Sequence, residues 1–222
     1  MRIAGDESGK LLLLLRNFVL LLMLPAIFAW MLANRYPART PVIFAGVYLV
    51  CILLFFNIRY LVPQLDFPAA VVDKQRSFGV LIGQSTVPLE VMEPTFTGFV
   101  RHAPKAFALS ATRPYPSDIS HLLSLAAAIE IGVLLLAVLV FLLYRIPKPT
   151  SSRTTLYFCF FFSVSLLLAI GFTVNNLGAI ARYRSIIMPL VLTPILARTD
   201  WNRFARLFAG LKTGFNGVND RS

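Results

Sequence analysis

The sequence predicts an all-α, polytopic transmembrane helical bundle of about five spans, and three observations carry that reading. Leu11–Ala33, Pro41–Val62, Ile119–Tyr144 and Thr155–Val174 each approach or exceed the ~20 apolar residues that a helix needs to cross ~30 Å of hydrocarbon. A fifth and weaker run, Leu177–Ala197, carries Arg182 and Arg184 near its start. Hydrophobic residues make up 57% of the 222 residues, and the mean hydropathy is +0.73. Charged residues are only 14%, against about a quarter in a soluble domain. Four or five wholly apolar helices would leave a soluble protein no surface to solvate.

The elements follow in chain order. The first run is interrupted by Arg16-Asn17, is too long for a secretory leader and lacks a small-x-small cleavage site, so it reads as a retained helix kinked at Pro25. After the second run, Pro63–Asp118 is too long for a simple connector and too apolar for a disordered one, with turn punctuation at Gly79, Gly83, Pro88 and Pro94. Pro94 is placed to open a helix with Phe96, Phe99, Val100 and Ala103 on one face, until Pro104 bends or breaks it. Short amphipathic helices along the outer membrane surface fit this segment, and a small packed cap over the outer helix ends is the alternative. In the tail, Asp200 is a good N-cap, and Trp201, Phe204, Phe208, Leu211 and Phe215 recur at three- and four-residue intervals, accompanied by Arg203, Arg206 and Lys212. That pattern is a helix in the headgroup layer; docking on a protein partner is the other reading.

Charge sets the expected threading. The connection Tyr144–Arg153 is short and basic, and so is the tail beyond Ala197, so both are expected on the cytoplasmic side. Two crossings then separate them, with Asn175-Asn176 as the tight outer turn. Working backwards, Pro63–Asp118 lies outside, Asn34–Thr40 with Arg35 and Arg39 lies inside, and the N-terminus lies outside. A competing topology has the N-terminus inside and one run re-entrant. Ser85 is expected outside, and Ser151 and Asn219 inside.

Several function classes fall away. The net charge is +11, but the basic residues sit at the ends of apolar runs, and aromatic interleaving with base-stacking spacing is absent, so no nucleic acid is expected. Cys51 and Cys159 lie inside apolar runs and read as small buried hydrophobes. His102 and His121 show no ligand spacing, so neither a metal nor another cofactor is expected. Ser120-His121 are neighbours with no nucleophile turn. No catalytic residue can be assigned.

Ionisable groups within spans cost ~2.5–3.5 kcal/mol or more at mid-bilayer, so each raises a functional question. Glu130 lies roughly 12 Å below the outer start of its helix and Arg16 roughly 9 Å below the same face, at 1.5 Å per residue. An intramembrane Arg16–Glu130 pair is therefore expected. Arg182 and Arg184, with Arg113 entering from the loop, form a basic outer cluster suited to a lipid phosphate, because arginine forks match phosphate oxygens bidentately. Snorkelling of both arginines to ordinary lipid phosphates is the plainer alternative.

The stretch Asn176–Pro194, with an Asn-x-Gly turn, Arg182-Tyr-Arg184 and a proline-containing apolar helix, resembles the outer start of a late helix in bacterial cell-envelope membrane proteins. These include GT-C type membrane glycosyltransferases and proteins of polysaccharide gene clusters. Leu89–Phe96, Pro104-Lys-Ala and Arg113-Pro-Tyr-Pro are similar to the outer loop of the latter, and together the resemblance covers roughly the last two thirds of the chain. It implies a multi-pass protein of the bacterial inner membrane, engaged in envelope glycan assembly. Membrane lipids, a lipid-linked glycan carrier and other membrane subunits are the implied partners, and Arg182 and Arg184 are the implied headgroup-facing residues. GT-C enzymes carry a catalytic acid in their first outer loop; the first connection here, Asn34–Thr40, has no acid and is expected inside. Enzymatic activity is thus left open, and a structural or assembly subunit of a larger complex is the rival. A transporter is disfavoured, since no inverted repeat is evident and Glu130 is the only intramembrane acid.

Overall fold

The computed structural model describes residues 4–62, 65–79, 86–119, 122–146 and 152–206, with side chains of the first helix from residue 19 onward and none at residue 123. Among these residues seven α-helices run in order: α1 (Ala4–Arg35), α2 (Thr40–Leu61), α3 (Phe67–Gly79), α4 (Phe96–Thr112), α5 (Leu122–Leu143), α6 (Arg153–Thr173) and α7 (Leu177–Ala197). Single 3-10 turns precede α2 and α5, and a further helical turn occupies residues 201–206. Among the described residues there is no strand, only the isolated bridges Thr86–Asn176 and Arg145–Thr199. The fold is an all-α polytopic bundle. Helices α2, α5, α6 and α7 are long and apolar enough to cross a membrane, and α1 adds the apolar stretch Val19–Arg35.

Contacts at the helix ends fix how these rods alternate. Thr154 Oγ1 donates to Asn34 Oδ1 at 2.8 Å, so α1 ends where α6 begins. The ends of α5 and α7 meet through Ile146 N–H to Arg198 O (2.9 Å) and Asp200 N–H to Tyr144 O (2.8 Å). At the opposite end, Val87 N–H donates to Asn175 O at 2.9 Å, which ties the stretch before α4 to the α6–α7 turn. Helices α1, α5 and α7 therefore run one way and α2 and α6 the other. The N-terminal end of α1 and helices α3 and α4 share one face; residues 198–206 have the other. That arrangement departs from the competing topology, whose N-terminus lies on the side of the tail.

Helix α6 is the hub, touching α1, α2, α3, α4 and α7. Its Phe162, Leu166, Leu167, Ile170 and the following Val174 pack with Ala26 of α1, Leu109 of α4 and Leu177, Ile180 and Ile187 of α7. Small residues Ala29 and Ala33 let α1 approach Phe44 of α2. The Phe44 ring lies 5.8 Å from Tyr157 and 5.4 Å from Phe161 of α6, pairs worth ~0.5–1.5 kcal/mol each beyond their area. The outward faces of α2 and α5, with Leu49, Val50, Leu53, Leu135, Leu136 and Leu139 exposed, are covered only if lipid surrounds them.

Helices α3 and α4 form a packed cap on α6 rather than helices lying free on a surface. Helix α4 starts at Phe96 rather than at Pro94, because Thr95 Oγ1 accepts from Gly98 N–H at 3.1 Å as the N-cap. It continues through Pro104 to Thr112. Its buried face is Phe99, Ala106, Leu109 and Ser110, whereas Phe96 and Val100 are exposed. The face shifts because α4 lies against α6 so closely that a Cβ at Gly171 would collide with the Ala106 carbonyl. Phe99 then meets Phe172 of α6, and Phe55 and Phe56 of α2, edge to face.

Candidate functional site

A cleft of about 660 Å³ opens between the first turns of α5 and α7. Two adjacent asparagines build it. Asn176 caps α7, its Oδ1 accepting from Gly178 N–H (2.9 Å) and Ala179 N–H (3.3 Å). Asn175 ties the turn to the cap, its Nδ2 donating to Phe78 O at 3.0 Å. Ser124, Ala126, Ala127 and Glu130 of α5 form one wall, Leu177, Gly178, Ala179, Ala181 and Arg182 of α7 the other, and Phe78 and Pro114 the rim. The walls are mostly apolar. The polar groups are Ser124, Asn176, the exposed Arg182, the Glu130 carboxylate with 38% of its side chain exposed, and Asn175, whose Oδ1 is buried without a hydrogen-bond partner.

Arg184 stands behind that cleft, not in it. The residue is 2% exposed, and its Nη1 donates to Arg113 O at 2.7 Å and to Ser110 O at 3.3 Å. The last carbonyls of α4 have no partner within their own helix, and a cation is favoured at a helix C-terminus by the dipole. Arg184 meets both needs. Its Nε lies 4.0 Å from Glu130 Oε1, while Nε and Nη2 make no hydrogen bond. One guanidinium thus joins α7 to the end of α4 and, by charge, to α5.

The basic cluster expected from sequence is therefore divided among three environments. Arg182 lines the cleft and is exposed. Arg184 does not face headgroups; it is internal because α4 supplies carbonyls that need a donor. Arg113 is turned to its own loop, with Nε 3.7 Å from Asp118 Oδ2 and its guanidinium carbon 5.3 Å from the Tyr115 ring centre. The side chain of Arg16 lies outside the described residues, and the cation beside Glu130 among those described is Arg184.

At the other end, Asp200 Oδ1 accepts from Arg203 N–H at 3.0 Å, capping the 201–206 turn. Phe204 meets the Tyr144 ring edge-on at 5.7 Å, and Trp201 Nε1 donates to Leu196 O at 3.0 Å. Phe208, Leu211 and Phe215 lie outside the described residues, as do Ser85, His121, Ser151 and Asn219. Among the described residues no cluster of His, Cys, Asp or Glu could hold a metal ion.

Sequence reasoning missed Asn175 as a site residue. Its position in an Asn-Asn turn explains the turn but gives no sign that one amide oxygen is left over. These features define a polytopic α-helical membrane protein with a mixed polar and apolar cleft at one end of its bundle. Comparison of the chain with protein-family models, curated proteins and solved structures finds no match.

Proposed function

We propose that this membrane protein binds the phosphate of a lipid headgroup in the α5–α7 cleft, at the outer leaflet of a bacterial inner membrane, within envelope glycan assembly. The observation that carries the reading is Arg182, an exposed guanidinium on the wall of a largely apolar cleft between two span-length helices. Such a cleft takes an amphiphile, with acyl chains along the apolar walls and phosphate at the arginine fork. The setting in glycan assembly rests on the sequence resemblance of Asn176–Pro194 and of the Leu89–Phe96, Pro104-Lys-Ala and Arg113-Pro-Tyr-Pro segments.

Orientation is supported by charge. Arg35, Arg39, Arg145, Arg153, Arg198, Arg203 and Arg206 occur at the tail end of the bundle, against one acid, Asp200, among the described residues there. A basic end of this kind stays in the cytoplasm. The cleft then faces the outer leaflet. No catalytic acid is assigned, and the proposal is confined to binding.

Delipidated protein in phosphatidylcholine nanodiscs, titrated with anionic phospholipid, tests this. Arg182→Gln should weaken binding about tenfold, the scale of one charge-assisted hydrogen bond, with helicity unchanged. Binding equal to wild type in that variant would refute the proposal. If partner subunits were instead lost on deleting residues 201–222, the assembly-subunit reading would replace it.

A further inference from the structure

We infer that the cleft receives a zwitterionic headgroup, the phosphate and primary ammonium of an aminophospholipid such as phosphatidylethanolamine. This rests on the lipid-phosphate reading above and adds a cation to the ligand.

The described lining carries one charge of each sign, on facing walls. Arg182 of α7 is exposed, and among the described residues no ion pair or hydrogen bond engages its guanidinium. Glu130 of α5 has 38% of its side chain exposed. Its ion-pair partner among the described residues is Arg184, behind the cleft, and not Arg182. That contact, Nε to Oε1 at 4.0 Å, is too long for a hydrogen bond. Arg184 gives its Nη1 to the Arg113 and Ser110 carbonyls instead. The Glu130 carboxylate, an acceptor only, therefore opens on apolar walls with its acceptor sites unfilled among the described residues. A charge in such surroundings is costly unless it is met. Two opposite charges that share a cleft without closing on each other suit a ligand that carries both signs.

The chemistry of Glu130 selects the cation. An ionised N–H donor bonds a carboxylate about twice as strongly as a neutral donor bonds a neutral acceptor, so an ammonium serves Glu130 better than a hydroxyl does. A quaternary ammonium has no N–H to donate and is recognised by cages of aromatic rings, whereas Phe78 on the rim is the single ring of the described lining. The alanines at 126, 127, 179 and 181, with Leu177, commit the ligand to a lipid, since a soluble phosphoethanolamine ester leaves those walls uncovered.

Full-length protein in phosphatidylcholine nanodiscs should bind phosphatidylethanolamine about tenfold more tightly than phosphatidylglycerol, the scale of one charge-assisted hydrogen bond. N-acetyl-phosphatidylethanolamine, which keeps the phosphate and loses the ammonium, should bind like phosphatidylglycerol. Glu130→Gln should abolish the preference for phosphatidylethanolamine while keeping dependence on Arg182, and soluble glycerophosphoethanolamine should not compete. Equal binding of phosphatidylethanolamine and its N-acetyl form by the wild type, still sensitive to Arg182→Gln, would overturn the ligand class and leave the phosphate site standing; that comparison needs no variant at Glu130. An undiminished preference in a folded Glu130→Gln protein would overturn the role of Glu130. Displacement by glycerophosphoethanolamine would overturn the lipid as the source. Binding of every phospholipid indifferent to Arg182→Gln would overturn the phosphate reading itself.

Discussion

Replacing Arg184 by methionine should destabilise the bundle by about 4 kcal/mol. Removing one member of a buried ion pair costs ~3–5 kcal/mol. The lower part of that range applies to the charge, because the Glu130 side chain is 38% exposed. The two carbonyls that Arg184 now serves, Arg113 O at 2.7 Å and Ser110 O at 3.3 Å, would each add ~1–3 kcal/mol if left dry and unmet. These contributions overlap, and the longer bond is the weaker, which gives the figure above. Reversible unfolding in mixed micelles of increasing dodecyl sulfate fraction reads it directly. Glu130→Gln in the Arg184→Met background should recover ~1–2 kcal/mol, since the orphaned carboxylate disappears while the two carbonyls remain. Arg184→Lys should cost ~1–2 kcal/mol, because a compact ammonium replaces the fork that spans two carbonyls and a carboxylate. Stability of Arg184→Met within ~0.5 kcal/mol of wild type, the range of an ordinary surface change, would refute this role for Arg184.

Gly171→Ala should destabilise by ~1–3 kcal/mol through overpacking, because the new methyl meets the Ala106 backbone carbonyl, which cannot move without displacing α4. Gly132→Ala, where nothing lies within 4 Å, should instead be neutral or gain up to ~1 kcal/mol from helix propensity; melting in detergent distinguishes the two. On the cap, the Lys105 ammonium beside it holds the Glu90 carboxyl below the usual carboxylate range. A depressed acid stabilises above its unfolded pKa of ~4.3 and loses that contribution as pH falls through the folded value. The thermal difference between wild type and Lys105→Ala should therefore be constant from neutral pH down to about 5 and vanish in more acid solution. It should also shrink with salt, since the pair is exposed.

The long rods were legible in the sequence because a bilayer imposes a length and an absence of charge, both readable without tertiary knowledge. Leu177–Ala197 is copied residue for residue by α7, and the other apolar runs match their helices within a few residues wherever a helix end is set by Pro, Asn or Arg. The alternation of directions followed from short basic connections. What was not legible is how the cap packs, although a packed cap was one of the two readings of that segment. Pro104 reads as a breaker by local rules, but α4 continues through it because packing on Gly171 and Phe172 outweighs one lost backbone hydrogen bond. Arg184 has the same cause. Nothing in Arg182-Tyr-Arg184 says which arginine is inside, since that depends on where α4, more than seventy residues earlier, ends. Asn175 was hidden for a similar reason: its leftover oxygen exists only once Phe78 has taken its amide hydrogens.

The most direct measurement is photocrosslinking of a radiolabelled anionic phospholipid to protein carrying benzoylphenylalanine at one α5 position. Ala126 lines the cleft, and Leu135 is exposed on the same helix about 13 Å further along it. Capture at Ala126, several-fold above Leu135 and lost in the Arg182→Gln background, is the expected result. Equal labelling at both positions, indifferent to Arg182, would mean that lipid merely coats this helix and that the cleft selects nothing.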